Sequence, residues 1–258
     1  MTAPSDPLKL RTPFAVYSGV VSGASPNPAG GGSPGPSIWS RPPRGSRGPT
    51  PTHGRDEIAA AAVTLADAGG LDAVSMRAVA GALDMAAGSL YRHLSSRDDL
   101  LDLMVDRCVG ELRPYPGDDG DWVEQFLRLA RRQLALHRRH PWLADALGRR
   151  ATPGPNTLAY FDACLRVLQP VPAGVVAKFE AVAMVTGVVT LFARSAATTG
   201  TVTFEHVDLA AYPHLAAAFA DAATPPDGDL FARTLRALLT GLLTPDRPGP
   251  PPDAPAGR

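Results

Sequence analysis

Residues 74–101 read VSMRAVAGALDMAAGSLYRHLSSRDDLL. This stretch predicts two short helices, because apolar residues recur at helical spacing on either side of a tight turn at Asp84. Val79, Leu83 and Leu90 are placed to pack the two helices together, and the second helix leaves small and polar side chains on its outward side. The stretch is therefore typical of a helix-turn-helix whose second helix covers about residues 86–93.

The outward side of that second helix has the chemistry needed to lie in the major groove of DNA. Small side chains at its leading end allow a close approach, and hydrogen-bonding groups further along can reach base edges and phosphates. The positions concerned are Ala87, Gly88, Ser89, Tyr91, Arg92 and His93. Residues 55–112 carry ten acidic side chains against five basic ones, but no acidic residue lies from Met85 to Arg97. The surface predicted to face DNA is therefore locally basic.

Helical patterns continue on both sides of this stretch and predict an all-α protein. No run shows the sustained alternation of a strand. Two predicted helices flank the helix-turn-helix, at about 56–68 and 97–113, with Ser95 or Ser96 as the cap of the second. The segment 173–199 is apolar almost all round, so we expect it to be buried on most sides. The other predicted helices lie at about 121–139, 141–147, 156–168, 208–222 and 229–243.

The two ends of the chain have compositions that do not support a core. Residues 1–54 hold 11 Pro, 9 Gly and 8 Ser, and the last fifteen residues hold six Pro. We expect both to be disordered tails. The predicted organisation is a tail at 1–54, a helix-turn-helix DNA-binding domain with a connecting helix at 55–112, a regulatory domain at 113–243 and a tail at 244–258.

Composition narrows the class of protein further. The 25 basic and 25 acidic side chains cancel, which gives no general preference for an acidic partner. Cys108 and Cys164 lie in apolar helical patterns and are expected to be buried free thiols in a reducing compartment. No run reaches the roughly 18 consecutive apolar residues of a membrane span, and the start lacks the pattern of a secretory signal. We expect a cytoplasmic protein with no cofactor and no membrane partner.

Several motifs keep one register over four predicted helices. They include Ala61-Ala62, Val74-Ser-Met-Arg77, Ser89-Leu-Tyr-Arg-His93 and Arg97-Asp-Asp-Leu-Leu101. Over about residues 55–112 this register resembles the N-terminal domain of Tet-repressor (TetR/AcrR) transcriptional regulators.

The resemblance implies roles for individual residues. Ser75, Met76 and Arg77 would begin the helix that rests on the DNA backbone, and the six outward residues of the second helix would face DNA. Arg97, where the family usually has Lys, would clamp a phosphate. Asp84 departs from the Gly that the family usually has at the turn.

The C-terminal part resembles a branch of these regulators with small-molecule-responsive helical domains, through His140-Pro-Trp-Leu143 and Gly154-Pro-Asn156. The resemblance implies a homodimer through the helices at about 173–199 and 229–243. It also implies an effector cavity among the helices at about 121–139, 156–169 and 173–199. Candidates for lining this cavity are Phe126, His137, Trp142, Phe161, Met184 and Phe192. The implied function is a repressor that an unknown small-molecule effector releases from double-stranded operator DNA.

Two other classes of protein and one metal site fit parts of the sequence. The excess of acidic over basic residues in 55–112 also fits a helical small-molecule-binding protein whose helix-turn-helix domain no longer binds DNA. Asp98-Asp99-Leu-Leu-Asp102 matches the DDxxD pattern of magnesium-dependent isoprenoid enzymes, but the sequence has no second carboxylate-rich motif to hold the metals. His137 and His140 are spaced like metal ligands, but Arg138 and Arg139 beside them repel a cation. We therefore expect neither enzyme activity nor a metal site.

Overall fold

The computed structural model describes residues 37–40, 53–117, 120–148, 152–197, 211–220 and 228–244. Within these ranges it contains ten α-helices and no strand, so the all-α prediction is confirmed. A 3-10 turn, Leu71–Ala73, joins the first two helices. The helices are α1 (Arg55–Gly69), α2 (Met76–Ala82), α3 (Ala87–Leu90), α4 (Arg97–Gly110), α5 (Trp122–Arg139), α6 (Leu143–Leu147), α7 (Pro155–Val167), α8 (Val175–Ala197), α9 (Pro213–Ala220) and α10 (Leu230–Leu243).

Helices α1 to α4 form one unit, which we call the head. α1 packs along α4, while α2 packs on both α1 and α3. Ile58, Val79, Leu90 and Leu100 are fully excluded from solvent between these helices. Of the three anchors predicted for the helix-turn-helix, Val79 and Leu90 are therefore confirmed as core residues, whereas Leu83 is only partly buried against this core.

The head helices begin close to their predicted starts, and α1 also ends close to its predicted end, whereas α3 and α4 end earlier than predicted. Ser75 caps α2, and Ser96 caps α4 through the Asp99 N–H at 3.1 Å. α3 covers a shorter range than the predicted 86–93, because residues 91–93 continue as turns in which the His93 N–H donates to the Leu90 carbonyl at 2.9 Å. α4 stops before residue 113, since Pro114 disfavours a helical conformation in the residue before it.

α5, α7, α8 and α10 pack together into a second core, and we call these helices, with α6 and α9, the body. α5 contacts α7, α8 and α10, and α8 contacts α7 and α10 as well. Phe126 and Leu127 of α5 and Leu235 and Leu239 of α10 are almost completely buried in this core. α4 contacts α6 and α7, so the helix that ends the head also packs on the body.

α8 is less buried than its apolar composition predicts. Val176, Met184 and Leu191 are exposed in the protomer, Leu191 to 62%. Among the described helices, the part of α8 from Val175 to Ser195 is long and apolar enough to cross a membrane by length and composition, a test that the core helix of a soluble protein also passes. The expectation of burial on most sides is wrong for a single chain.

Four residues of the N-terminal segment dock on the molecule, which the prediction of a disordered tail at 1–54 missed. Ile38 is fully buried, and its carbonyl accepts a hydrogen bond from the Arg55 guanidinium at 3.0 Å. The indole N–H of Trp39 donates to the Thr152 carbonyl at 3.0 Å. One isoleucine and one tryptophan provide the apolar surface that the surrounding composition lacks. The other parts of the two predicted tails, residues 1–36, 41–52 and 245–258, lie outside the described residues.

Asp84, at the turn between α2 and α3, has a φ of 50°, in the left-handed region. Aspartate tolerates this region at some cost, whereas glycine adopts it freely. We expect Asp84→Gly to raise the free energy of unfolding by about 0.5 kcal/mol, because glycine's greater freedom in the unfolded chain cancels part of the gain. Urea unfolding measures the change. Asp72→Gly, in the 3-10 turn without a positive φ, is the matched control and should lower stability; equal losses in both variants would contradict the prediction.

Candidate DNA interface and its connection to the body

The residues predicted to face DNA share one surface of the head. Ala87, Gly88, Tyr91 and Arg92 are exposed, and Ser89 and His93 are half-buried beside them. The Arg92 guanidinium donates to the Ser89 hydroxyl at 2.7 Å, which holds it along this surface. A Cβ added to Gly88 would meet no atom within 4 Å, so the space above the start of α3 is open.

His93 contributes a hydrogen-bonding group rather than a charge. Burial lowers its pKa below the ordinary value, and the neighbouring charges of Arg55 and Arg92 lower it further. At neutral pH the imidazole is therefore neutral, with one donor and one acceptor nitrogen. The positive charge of this surface comes from Arg92, with Arg77 exposed on the neighbouring helix.

The residues implied at the start of α2 have different surroundings. The Ser75 hydroxyl accepts the Ala78 N–H at 3.0 Å and caps the helix, Met76 packs against the core, and Arg77 is exposed. Arg97, the implied phosphate clamp, donates to the Leu71 carbonyl at 2.8 Å. This bond ties the start of α4 to the 3-10 turn. Since a guanidinium has five N–H donors, others remain for a phosphate.

The aspartates of the DDxxD pattern have structural roles. The buried Asp99 accepts the Ser95 N–H at 2.6 Å at the start of α4. The buried Asp102 accepts the Thr152 N–H at 2.9 Å, and burial raises its pKa although the hydrogen bond opposes this rise. Asp98 is exposed in the first turn, where it complements the helix dipole. Helix capping and a contact with the body therefore explain the pattern without a magnesium site.

A second buried carboxylate joins α4 to the start of α7. Asp106 is 3% exposed. One of its oxygens accepts the backbone N–H and the hydroxyl of Thr157 at 2.8 and 2.9 Å, and the other accepts the backbone and side-chain amides of Asn156 at 3.2 and 3.1 Å. The first N–H groups of a helix have no partner within it, and its dipole favours a negative charge there. Asp102 and Asp106 thus hold the segment 152–157 of the body on the last helix of the head.

Two of the predicted cavity residues lie away from the interior of the body. The Trp142 indole N–H donates to the Asp67 carboxylate of α1 at 2.7 Å, so this ring marks the boundary with the head. Met184 is exposed on the surface of α8. The prediction that Trp142 and Met184 line one cavity with the other candidates therefore does not fit a single protomer. It depended on hydrophobicity, which does not distinguish a side chain inside the body from one at the boundary with the head or on the surface.

The other predicted cavity residues lie within the body at separate places. Phe126 is a core residue of α5. Phe192 packs edge-on against Phe231 of α10, with ring centroids 5.2 Å apart. Phe161 of α7 packs edge-on against Phe179 of α8 at 6.4 Å. His137 lies buried on α5 beside side chains that the sequence did not single out.

These side chains form a polar row, defined here as Gln133, His137, Tyr160 and Thr186. The Gln133 amide donates to the Thr186 hydroxyl at 3.1 Å and accepts from the Tyr160 hydroxyl at 3.3 Å. His137 follows one turn later on α5, and its Nδ1 has no hydrogen-bond partner among the described residues. Burial lowers its pKa to about 4, and His140 adds to this effect. The polar row connects α5, α7 and α8, the three helices predicted to enclose the effector cavity.

A cleft of about 510 Å³ lies at a different place, between the head and the body. Its walls include Trp39, Arg55, Arg107, Glu111 and Asn156. The cleft has a mixed polar and apolar lining and follows the groove between α1, α4 and the start of α7. It is therefore separate from the polar row.

The fold and the exposed surface of α3 define a helix-turn-helix regulator with a helical C-terminal domain. Comparisons with known proteins agree with this class. Residues 58–104 match the model of bacterial regulatory proteins of the tetR family, and residues 113–245 match that of the tetracyclin repressor-like C-terminal domain. Since the second match covers more than half of the chain, the chain belongs to the TetR family of bacterial transcriptional regulators.

Two curated relatives are described as transcriptional regulators. The HTH-type transcriptional repressor DrrR1 of Streptomyces coeruleorubidus is 39% identical over 160 residues, which are 61% of this chain and 59% of the relative. An HTH-type transcriptional regulator of Saccharopolyspora erythraea is 39% identical over 129 residues, 50% of this chain and 53% of the relative. The chain thus spans less than two thirds of the length of these relatives.

Solved structures extend the similarity to both units. Apo ActR from Streptomyces coelicolor has a TM-score of 0.64 at 26% identity, covering 75% of this chain and 96% of that chain. ActR in complex with actinorhodin has a TM-score of 0.63 at 28% identity, covering 75% and 98%. A possible TetR family regulator from the same organism has a TM-score of 0.58 at 30% identity, covering 73% and 98%.

Proposed function

We propose that this chain is a cytoplasmic repressor that binds operator DNA as a homodimer and leaves it when a small molecule binds the body. The supporting observation is that Tyr91 and Arg92 are exposed, with the half-buried His93 beside them, on a helix-turn-helix with a fully buried core. A phenol, a guanidinium and a neutral imidazole can bind base edges and phosphates in the major groove. Arg77 and Arg97 lie at neighbouring helix starts, where contacts to phosphates would set the register.

A gel-shift titration with the intergenic DNA upstream of the chain's own coding region tests the proposal. We expect specific binding with a dissociation constant on the order of 10⁻⁸ M, which weakens as salt rises because phosphate contacts release counterions. Absence of salt-dependent affinity, both for this DNA and for a randomised pool after selection, would favour the alternative of a small-molecule-binding protein with an inactive head.

We further propose that α8 and α10 form the dimer interface. Val176, Met184 and Leu191 of α8 are exposed apolar residues, and α10, which packs on α8, exposes Leu242. A two-fold contact would bury this surface against its own copy. It would also place two α3 helices one or more DNA turns apart, about 34–36 Å per turn. The same burial would explain why α8 has a composition close to that of a membrane span.

Leu191→Glu should convert the dimer to a monomer, because two-fold symmetry would bury two equal charges in one apolar contact. Sedimentation velocity at micromolar concentration should show the monomer mass, and operator affinity should fall by at least about tenfold, since only one half-site is then bound. Leu158→Glu is the matched control, because Leu158 is also an exposed leucine but lies on α7. A dimer that persists in Leu191→Glu would contradict the assigned interface.

We propose that the effector binds beside the polar row. The buried Nδ1 of His137 has no hydrogen-bond partner among the described residues, which lowers stability unless a ligand provides the missing hydrogen bond. ActR, similar in fold, has been solved with actinorhodin and with (S)-DNPA. A screen of amphipathic compounds that begins with actinorhodin should find one that releases DNA from the chain. His137→Leu should weaken that release about tenfold, whereas release unchanged by the substitution would place the effector elsewhere.

The pH dependence of stability should report His137 independently. Its pKa of about 4 in the folded chain lies below the 6.5 of an exposed histidine, so the unfolded chain binds the proton more tightly. Stability from this group is complete above pH 6.5 and is lost as the pH falls toward 4. The loss is at most about 3 kcal/mol. Urea unfolding at pH 7 and pH 4.5 should show a smaller difference for His137→Leu than for the parent chain.

Signal transfer from the body to the head would pass through α4. Asp102 and Asp106 link α4 to the segment 152–157, directly before and at the start of α7, and Tyr160 of the polar row lies one turn further along α7. An effector that displaces α7 would therefore move α4 and change the spacing of the two heads. By linkage, operator DNA would weaken effector binding by the same factor.

A further inference from the structure

Three side chains with metal-binding atoms converge where α1, α4 and α5 meet. The Cys108 Sγ, a Glu111 carboxylate oxygen and a His140 ring nitrogen all lie within 4.8 Å of one another. Cys108 and Glu111 lie at the end of α4, and His140 caps the end of α5. Cys108 and His140 are buried, while Glu111 is exposed and provides a way in from solvent. This cluster is separate from the surface of α3 and from the polar row.

The hydrogen bonds of His140 indicate which nitrogen faces the cluster. The His140 Nδ1 lies 2.7 Å from a carboxylate oxygen of Asp67, which also accepts the Trp142 indole N–H at 2.7 Å. Nδ1 therefore carries a proton, and this N–H donates a hydrogen bond to the Asp67 carboxylate. A carboxylate that receives one ring N–H of a histidine while the other nitrogen binds a metal is a recurrent arrangement, and it sets the tautomer and the orientation of the ring.

The second ring nitrogen faces acceptors. The His140 Nε2 lies 3.3 Å from a Glu111 oxygen, and both nitrogen and oxygen offer lone pairs when the ring is neutral. Either a second proton on the ring or a metal cation between the two atoms satisfies both lone pairs. Tetrahedral zinc with bonds of about 2.0–2.1 Å to nitrogen and oxygen separates these two ligands by about 3.3 Å, so the observed spacing needs little adjustment.

We infer that Cys108, Glu111 and His140 bind a transition-metal ion of the zinc class, with Asp67 as the carboxylate behind His140. A sulfur, nitrogen and oxygen set favours such ions over magnesium or calcium, which prefer oxygen alone. Binding replaces the thiol proton of Cys108 by the metal, and the proton leaves to solvent. Three protein ligands leave a fourth position for water. The inference concerns metal binding itself and is measured without DNA, so it stands or fails separately from the repressor function.

Arg139 is one of the positive charges that oppose a cation here, and its contact with Glu111 makes it a sharp test. Its guanidinium donates to the second Glu111 oxygen at 2.5 Å, and its side chain is 65% exposed. Removal of its charge should leave the fold unchanged and should tighten metal binding, because one positive neighbour is lost and Glu111 is freed. We expect Arg139→Gln to lower the dissociation constant about threefold.

The bound ion would join the head to the body. Cys108, Glu111 and Asp67 belong to the head or its end, and His140 belongs to the body. Metal binding to the folded chain alone raises its stability by linkage. The melting temperature of the metal-free chain should therefore rise on addition of zinc, and the rise should be absent from Cys108→Ala.

Cobalt titration of the untagged full-length chain, stripped with a chelator, tests the site. We expect one ion per protomer, visible bands of tetrahedral cobalt and a near-ultraviolet thiolate-to-cobalt band, all displaced by zinc. Cys108→Ala should lose the thiolate band, whereas Cys164→Ala, the matched control at the other buried thiol, should keep it. Asp67→Asn should weaken binding about tenfold. Circular dichroism of each variant verifies the fold.

Several outcomes would overturn the inference. These are no cobalt binding by the parent chain, visible bands without a thiolate band, or a thiolate band that persists in Cys108→Ala. A dissociation constant that rises rather than falls in Arg139→Gln would also contradict it. That variant keeps all three ligands, so its result does not depend on the folding of a core variant.

Discussion

Replacement of Tyr91 and Arg92 together by alanine is expected to weaken operator binding by about 100-fold or more. Each side chain can contribute about 1–3 kcal/mol of discrimination when it bonds a base edge, and the two losses add in the free energy. Stability should change little because both side chains are exposed. A gel shift on the operator, with a scrambled DNA of equal length beside it, separates the loss of specific binding from the loss of general affinity.

The chain offers a matched control for this double variant. Tyr212 and Arg128 are the same residue types, are also exposed, and lie outside the head. Tyr212→Ala with Arg128→Ala should leave operator affinity within about twofold of the parent. Specific binding that survives in Tyr91→Ala/Arg92→Ala would show that α3 is not the element that contacts base edges. Equal losses in the two double variants would indicate that affinity follows net charge alone.

Replacement of Asp106 by alanine should cost about 3 kcal/mol of unfolding free energy, the largest effect that we expect on stability. Four hydrogen bonds end on this buried carboxylate, and a single hydrogen bond to a charged group contributes about 1.5–3 kcal/mol. The four contributions do not add, because all of them involve the same carboxylate. The variant leaves the amides of Asn156 and the N–H and hydroxyl groups of Thr157 without their acceptor in a part-buried place. Urea unfolding at neutral pH measures the change.

Two further variants distinguish the causes of that loss. Asp98→Ala removes an exposed aspartate from the same helix and should cost less than about 0.5 kcal/mol. Asp106→Asn keeps the shape and one acceptor oxygen, so its loss should lie between the two. If Asp106→Ala proved as mild as Asp98→Ala, the start of α7 would not depend on this carboxylate, and the route proposed from body to head would lose its main contact.

The head could be predicted from sequence because its determinants are local. Val79 and Leu90 fall at helical spacing, Ser75 and Ser96 are good caps, and the departure at Asp84 correctly marks a left-handed turn. These features depend on residues a few positions apart. The resemblance over residues 55–112 also assigns each residue a position on its helix. Local pattern and resemblance together predicted which side chains of the second helix would lie on one surface.

The contacts between the head and the body could not be predicted, because they join residues distant in the chain. Asp106 bonds Thr157 across 51 positions, and Trp142 bonds Asp67 across 75. Apolar composition placed Met184 inside a cavity, yet it is exposed on α8, since a hydrophobic residue can serve a core or an interface equally well. His140 is not predicted to be a ligand, because Arg138 and Arg139 lie beside it in the sequence. The partners that make it a candidate, Cys108 and Glu111, come from another helix.

The docked segment at Ser37–Ser40 gives the protein an intrinsic optical reporter. Of the three tryptophans, Trp39 bonds the Thr152 carbonyl and Trp142 bonds Asp67, so two indoles span contacts between distant parts of the chain near the boundary of head and body. Indole emission shifts in wavelength when its N–H exchanges a protein acceptor for water. Movement of the head relative to the body should therefore change the emission of the unlabelled chain. Comparison of the emission change in Trp39→Phe with that in Trp142→Phe would show which of the two contacts, Trp142–Asp67 or Trp39–Thr152, breaks.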